Sequence, residues 1–120
     1  MFGLLKRAPA RFMKSFSYCW DGIKATFTKE ESFRLETIGF VVLAAILSAS
    51  PWPWWKVAAM GASYLLIPLV EILNSAIEDL CDLITRDHNP LIKNAKDKGA
   101  LAVLFAIIFN ALILLTLLLI

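Results

Sequence analysis

Residues 99–120 hold one strongly polar side chain, Asn110, in 22 positions. A helix of that length reaches about 33 Å, enough to cross the hydrocarbon of a bilayer. Two more apolar runs impose the same solvent, at 33–50 and at 57–85, the second becoming more polar after about residue 77. The chain has 120 residues, 59% of them apolar, and a mean hydropathy of +0.70. A water-soluble domain of this size cannot bury that much apolar surface. The predicted fold class is therefore an all-α membrane protein of one domain. An N-terminal amphipathic surface helix, 1–28, precedes three transmembrane helices at 33–50, 57–85 and 99–120.

The basic residues orient those spans. Seven of the twelve precede Ile38, where the uninterrupted apolar part of the first run begins: Lys6, Arg7, Arg11, Lys14, Lys24, Lys29 and Arg34. Arg86, Lys93, Lys96 and Lys98 lie between the second and third runs, and Lys56 alone lies between the first and second. The positive-inside rule then predicts a cytoplasmic N-terminus and a cytoplasmic second loop, with the first loop outside. A net charge of +2 distributed in this way gives no reason to expect a nucleic-acid partner.

In the first 28 residues, Phe12, Phe16, Cys19, Trp20, Ile23 and Phe27 follow helical spacing, and Lys6, Arg7, Arg11, Lys14 and Lys24 supply a basic side. Such a helix can set its rings into the membrane interface with its cations on lipid phosphates, and the same helix can cover the bundle. Residues 28–36 read as a polar hinge, with Thr28 and Glu31 at capping-box spacing. Pro51 and Pro53 end the first span, and Trp52, Trp54 and Trp55 fit an interfacial belt. No uninterrupted apolar core of a cleavable leader is expected near the N-terminus.

The second span is where the chemistry is expected. Glu71, Asn74, Ser75, Glu78 and Asp82 fall within a sector of about 100° when each residue advances about 100°. Carboxylates in a membrane helix are costly and face a bundle interior or a polar cavity. Glu71 and Glu78 stand about 10 Å apart along the axis, too far to share one ion. Glu78 would need a second carboxylate to hold a divalent cation, and Glu30 or Glu36 is the available donor. Glu71 lies deeper, where it could act as a base on a lipid headgroup. Pro68, in the turn before it, should weaken one backbone bond and bend or open the helix, either exposing Glu71 to a cavity or being absorbed.

In the second loop, Lys96 beside Asp97 suits binding of polyphosphate with a metal, while also satisfying the charge bias of an inner loop. His88 reads as a loop residue, and Asn110 as a polar link between helices. Cys19 and Cys81 lack metal-ligand spacing and read as reduced, unpaired thiols. The five glycines are too scattered for a P-loop or a dinucleotide fingerprint, so nucleotide chemistry here would use no standard kinase fold.

The run Glu71-Ile72-Leu73-Asn74-Ser75-Ala76-Ile77-Glu78 resembles the signature of the prokaryotic integral-membrane diacylglycerol kinases, a family that includes the undecaprenol kinases. Ala95-Lys96-Asp97 resembles the second block of that family. Glu30, Phe33, Arg34 and Glu36, and Tyr18, Trp20 and Gly22, resemble its N-terminal elements. The resemblance extends over nearly the whole chain. It implies an ATP-dependent, Mg2+-requiring lipid kinase of the bacterial cytoplasmic membrane, a homotrimeric bundle with active sites shared between subunits.

Carried over position by position, the resemblance makes Glu71 the catalytic base and Glu30 and Glu78 the metal ligands. It places Arg11, Tyr18, Glu30, Glu78, Asp87, Asn89, Lys96 and Asp97 around the nucleotide. It assigns Arg11, Ser15, Cys19, Trp20, Lys24, Phe33, Arg34, Glu36, Glu71, Asn74 and Ala100 to the lipid substrate. Cys19 stands where many members carry serine, and Ala100 where some do. Asp87-His88-Asn89 departs from a Glu-x-His pattern, with Asn89 at the histidine position.

Three rival functions are expected to be separable from diacylglycerol phosphorylation, one of them a small scaffold protein whose acids only pair with lysines. Undecaprenol kinase is the sister activity, and Asn74-Ser75 with Lys98-Gly99 leans toward diacylglycerol. A non-enzymatic ion or proton pathway lined by Glu71, Glu78 and Asp82 would conduct without ATP.

Overall fold

The computed structural model describes residues 1–120 as five helices: α1 (Phe2–Lys29), α2 (Glu31–Ala49), α3 (Trp54–Tyr64), α4 (Leu66–Ile84) and α5 (Pro90–Leu119). Three stretches are long and apolar enough to cross a membrane: Glu31–Ala49, Trp54–Ile84 and Pro90–Leu119. The chain divides into two compact units, Met1–Arg34 and Leu35–Ile120.

The first unit is α1 and the opening turn of α2. Helix α1 contains no buried residue and accommodates Pro9 within its N-terminal part. The break that ends it is a single extended residue, Glu30 (φ −105°, ψ 103°). The expected capping box does not form. Thr28 lies inside α1, and its hydroxyl donates back to the carbonyls of Lys24 and Ala25 at 2.8 and 3.0 Å, so it cannot cap the next helix. Phe33 buries itself across the break, its ring edge-on to Phe27 with centroids 5.1 Å apart.

In the second unit, α4 packs along α5, and α3 packs against α5 and meets α4 end to end. Pro68 explains the α3–α4 junction. It has no N–H to give the carbonyl of Tyr64, and the helix is interrupted at Leu65, which keeps right-handed angles (φ −60°, ψ −20°). The axis therefore continues through the interruption. Leu47, Met60 and Leu117 form a small core with Leu43, Trp52, Val57, Ile113 and Leu114 around it, joining α2, α3 and α5 near the tryptophan turn. Most other large apolar side chains are exposed, as expected where lipid is the solvent.

The start of α5 differs from the expected span. The helix begins at Pro90, nine positions before residue 99, and leaves a short loop at 85–89. Asn89 causes this: its Oδ1 accepts from the N–H groups of Leu91 and Ile92 at 2.9 and 3.4 Å, and Pro90 follows with a preset φ. Lys93, Lys96 and Asp97 consequently ride on the first turns of a helix.

Candidate active site

The polar face of α4 runs beside its seam with α5. Ile67 and Cys81 are the buried residues of α4, and Asn74 lies between them in the same seam. Glu71, Ser75, Glu78 and Asp82 occupy one edge of that seam.

At the Glu71 end of this face, Glu71 of α4 and Glu36 of α2 lie within electrostatic range of each other. Both are half-buried, and Glu36 Oε2 is enclosed without a hydrogen-bond donor. Acids on membrane-spanning helices are tolerated where they face the bundle interior or a polar cavity. One turn further on, the Asn74 amide fills the space where a side chain on Gly99 would begin, so the Asn74 side chain of α4 packs directly on the Gly99 backbone of α5. Asn74 Nδ2 donates to Glu78 Oε1 at 3.3 Å, while Asn74 Oδ1 is buried without a donor.

Two turns beyond, Lys96 Nζ donates to Asp82 Oδ1 at 2.8 Å and lies within electrostatic range of Glu78. Lys96 also lines an open cavity of about 220 Å³ with Asp87, His88, Asn89, Ile92, Lys93 and Asp97. Lys93 pairs with Asp97 at 2.6 Å on the wall of this cavity. All four loop and α5 residues assigned to the nucleotide by resemblance (Asp87, Asn89, Lys96 and Asp97) thus meet at one hollow. His88 shares that hollow, although its sequence context marked it only as a loop residue. Asn89 lines the cavity with its Oδ1 already engaged in capping α5.

The remaining assigned residues are distributed differently. Arg11, Ser15, Tyr18 and Cys19 share one face of α1, whereas Trp20 and Lys24 point to the opposite side, their cation and ring 5.5 Å apart. All six are exposed. Glu30 sits at the helix break, Phe33 is buried against Phe27, and Arg34 is exposed. Ala100 follows Gly99 on α5 and is exposed. Both thiols are free, Cys19 at the surface and Cys81 in the α4–α5 seam.

One residue at the Glu71 end was not singled out from sequence. The Tyr64 hydroxyl donates to the carbonyl oxygen of Glu36 at 2.9 Å, tying α3 to α2 beside the carboxylate pair. Its signal in the sequence is faint: a tyrosine seven residues before Glu71, with Pro68 between them.

The fold and site define a multi-pass helical membrane protein whose middle span carries acids beside a lysine-lined hollow. The comparisons make the family specific. The profile of the prokaryotic diacylglycerol kinase family matches residues 17–118. A diacylglycerol kinase of Escherichia coli K12 is 41% identical over 103 residues, covering 82% of this chain and 80% of that protein. A diacylglycerol kinase of Pseudomonas aeruginosa is 37% identical over 92 residues, covering 77% and 75%. One from Helicobacter pylori 26695 is 32% identical over 106 residues, covering 86% and 80%. The chain belongs to the prokaryotic diacylglycerol kinase family.

Proposed function

We propose that this chain, a lipid kinase of that family, transfers the γ-phosphoryl group of ATP to the free hydroxyl of diacylglycerol at the cytoplasmic face of a bacterial inner membrane. The observation that carries the reading is the run of Glu71, Asn74, Glu78 and Asp82 along α4 with Lys96 of α5 against it.

The reaction divides along that run. Glu71 takes the proton of the lipid hydroxyl as its oxygen bonds to the γ-phosphorus and the bond to the ADP oxygen breaks. Glu36 holds a second acid beside it and Asn74 presents an amide oxygen to the same space, both supporting the place where the lipid alcohol arrives. Lys96 and the hollow around it bind the phosphate chain, with Asp87, Asn89 and Asp97 at its rim. Phosphoryl transfer depends on alignment and charge neutralisation more than on covalent help from the protein, and Lys96 is the cation of this run that would meet the phosphate charge.

No three metal-ligating side chains gather into a closed site. Mg2+ does not need one, since it keeps several waters and takes one or two carboxylates together with substrate phosphates. The exposed Glu78 suits that sparse mode, and Glu78 and Glu30 would hold the ion. Bound there, Mg2+ would neutralise charge on the transferring phosphate.

The basic and aromatic content of α1 supports an interfacial helix carrying Arg11, Ser15, Tyr18, Cys19, Trp20 and Lys24 toward lipid and nucleotide. The scarcity of basic residues at the tryptophan turn supports a cytoplasmic N-terminus and 85–89 loop. The assembly in this reading is the homotrimer with shared sites that the family resemblance implies.

The test is a mixed-micelle assay with purified protein, Mg2+ and γ-labelled ATP, offered diacylglycerol or undecaprenol. Label entering phosphatidic acid is the expected result. Label entering only undecaprenyl phosphate would replace the substrate, and label in neither lipid would remove the kinase reading.

A further inference from the structure

We infer that Tyr64 is a positioning residue for the transfer step, holding the α2 backbone at Glu36 so that the Glu36 carboxylate is kept beside Glu71. The inference deepens the kinase reading and rests on it.

Three features of the fold aim Tyr64 at this task. It is the last residue of α3, directly before the interruption at Leu65 that Pro68 brings about. Because Leu65 keeps right-handed angles, Tyr64 and Glu71 remain on one face, about 10 Å apart along the axis at seven residues' separation. From that face the Tyr64 hydroxyl reaches α2 and donates to the Glu36 carbonyl at 2.9 Å. The acid on that same residue is the one within electrostatic range of Glu71 and of Tyr64 itself.

The receiving helix is shaped for the contact. Gly39 lies one turn after Glu36, and a Cβ there would stand 2.9 Å from the Tyr64 hydroxyl oxygen, closer than the oxygen can tolerate without moving. The ring leans on Phe40, with centroids 5.4 Å apart and planes at 44°. The ring contact holds the side chain and the hydroxyl fixes the height of α2. Removing the hydroxyl alone therefore leaves the packing in place and frees α2 to slide. A displacement of about 1 Å at a reacting group can lower a rate on the order of 100-fold, so a contact of small structural weight can have a large kinetic one.

The experiment measures kcat, KM for ATP and thermal midpoint of the full-length protein for Tyr64→Phe and Gly39→Ala. It then repeats Tyr64→Phe in a Glu36→Gln background. We expect Tyr64→Phe to lower kcat by roughly 10- to 100-fold with KM for ATP within about twofold and a nearly unchanged midpoint. Gly39→Ala, which dislodges the hydroxyl without deleting it, should give the same split. In the Glu36→Gln background, Tyr64→Phe should cause no further loss, because its effect passes through that carboxylate.

Wild-type kcat in folded Tyr64→Phe overturns the inference. So does an equal fold-loss in both backgrounds, or a loss that follows a lowered midpoint with KM rising in step. If Tyr64→Phe does not fold, or Glu36→Gln leaves too little turnover to measure, Gly39→Ala decides: full kcat overturns the inference and a kcat-only defect supports it. Failure of the kinase reading is separate, since it would appear as no lipid phosphorylation by the unmodified protein.

Discussion

At the tryptophan end of the bundle, the polar groups come in closed sets. Lys56 Nζ donates to the carbonyl of Leu117 at 2.9 Å and sits over the rings of Trp52 and Trp55 at 5.7 and 5.6 Å. Deeper in the bundle, Asn110 donates to Ser63 at 3.0 Å, and Ser63 donates to the carbonyl of Met60 at 2.9 Å. At the other end, α4 carries Glu71, Glu78, Asp79 and Asp82, of which Asp82 is bonded to Lys96 of α5, and Glu36 Oε2 and Asn74 Oδ1 are enclosed without donors. The difference separates two uses of polarity in a membrane. Groups that satisfy one another hold helices together. Groups held together with acceptor capacity to spare are ready for a reactant that brings cations or protons.

Substitutions at the two ends sharpen the comparison. Lys96→Met should have the largest effect on binding, raising KM for ATP on the order of tenfold or more through loss of a charge-assisted contact to phosphate. KM for diacylglycerol should stay unchanged, and kinetics with each substrate varied in turn checks this. Glu78→Gln should raise the Mg2+ concentration for half-maximal activity by roughly tenfold, about 1.4 kcal/mol, read from a metal titration at saturating ATP.

Gly99→Ala strikes the point where the Asn74 amide occupies the space of a Cβ. Overpacking there should lower stability by about 1–3 kcal/mol, seen as a lower thermal midpoint together with lost activity. Asn110→Leu should have the smallest effect. Its bond to Ser63 is a link between α5 and α3, of about 0.6 kcal/mol by comparison with similar links, and turnover should be retained. A large catalytic loss in Asn110→Leu would erase the distinction between the ends.

The parts legible in the sequence were those governed by periodicity and solvent. Apolar run length announced three spans, and helical spacing put Glu71, Asn74, Glu78 and Asp82 on one face. The link from Asn110 to another helix also forms. Where two local signals competed, the reading went astray. Thr28 and Glu31 had the spacing of a cap, but α1 continued through Thr28 and the break fell on Glu30. Asn89-Pro90 is a strong helix start, yet α5 was expected only where charges end, at residue 99. Partners across helices were not legible. Nothing local to Tyr64 says that its hydroxyl reaches Glu36, or that Asn74 needs Gly99, because those meetings depend on how α2, α4 and α5 are set against one another.

The central claim is that the acids of α4 act on a lipid hydroxyl, and Glu71→Gln tests it most directly. The substitution keeps shape and removes the base. Lipid phosphorylation and nucleotide binding should be measured on the same purified preparation. Phosphatidic acid formation should fall by roughly 100- to 10,000-fold, the range of a lost general base, while ATP still binds with unmodified affinity. Full turnover in Glu71→Gln would contradict the account.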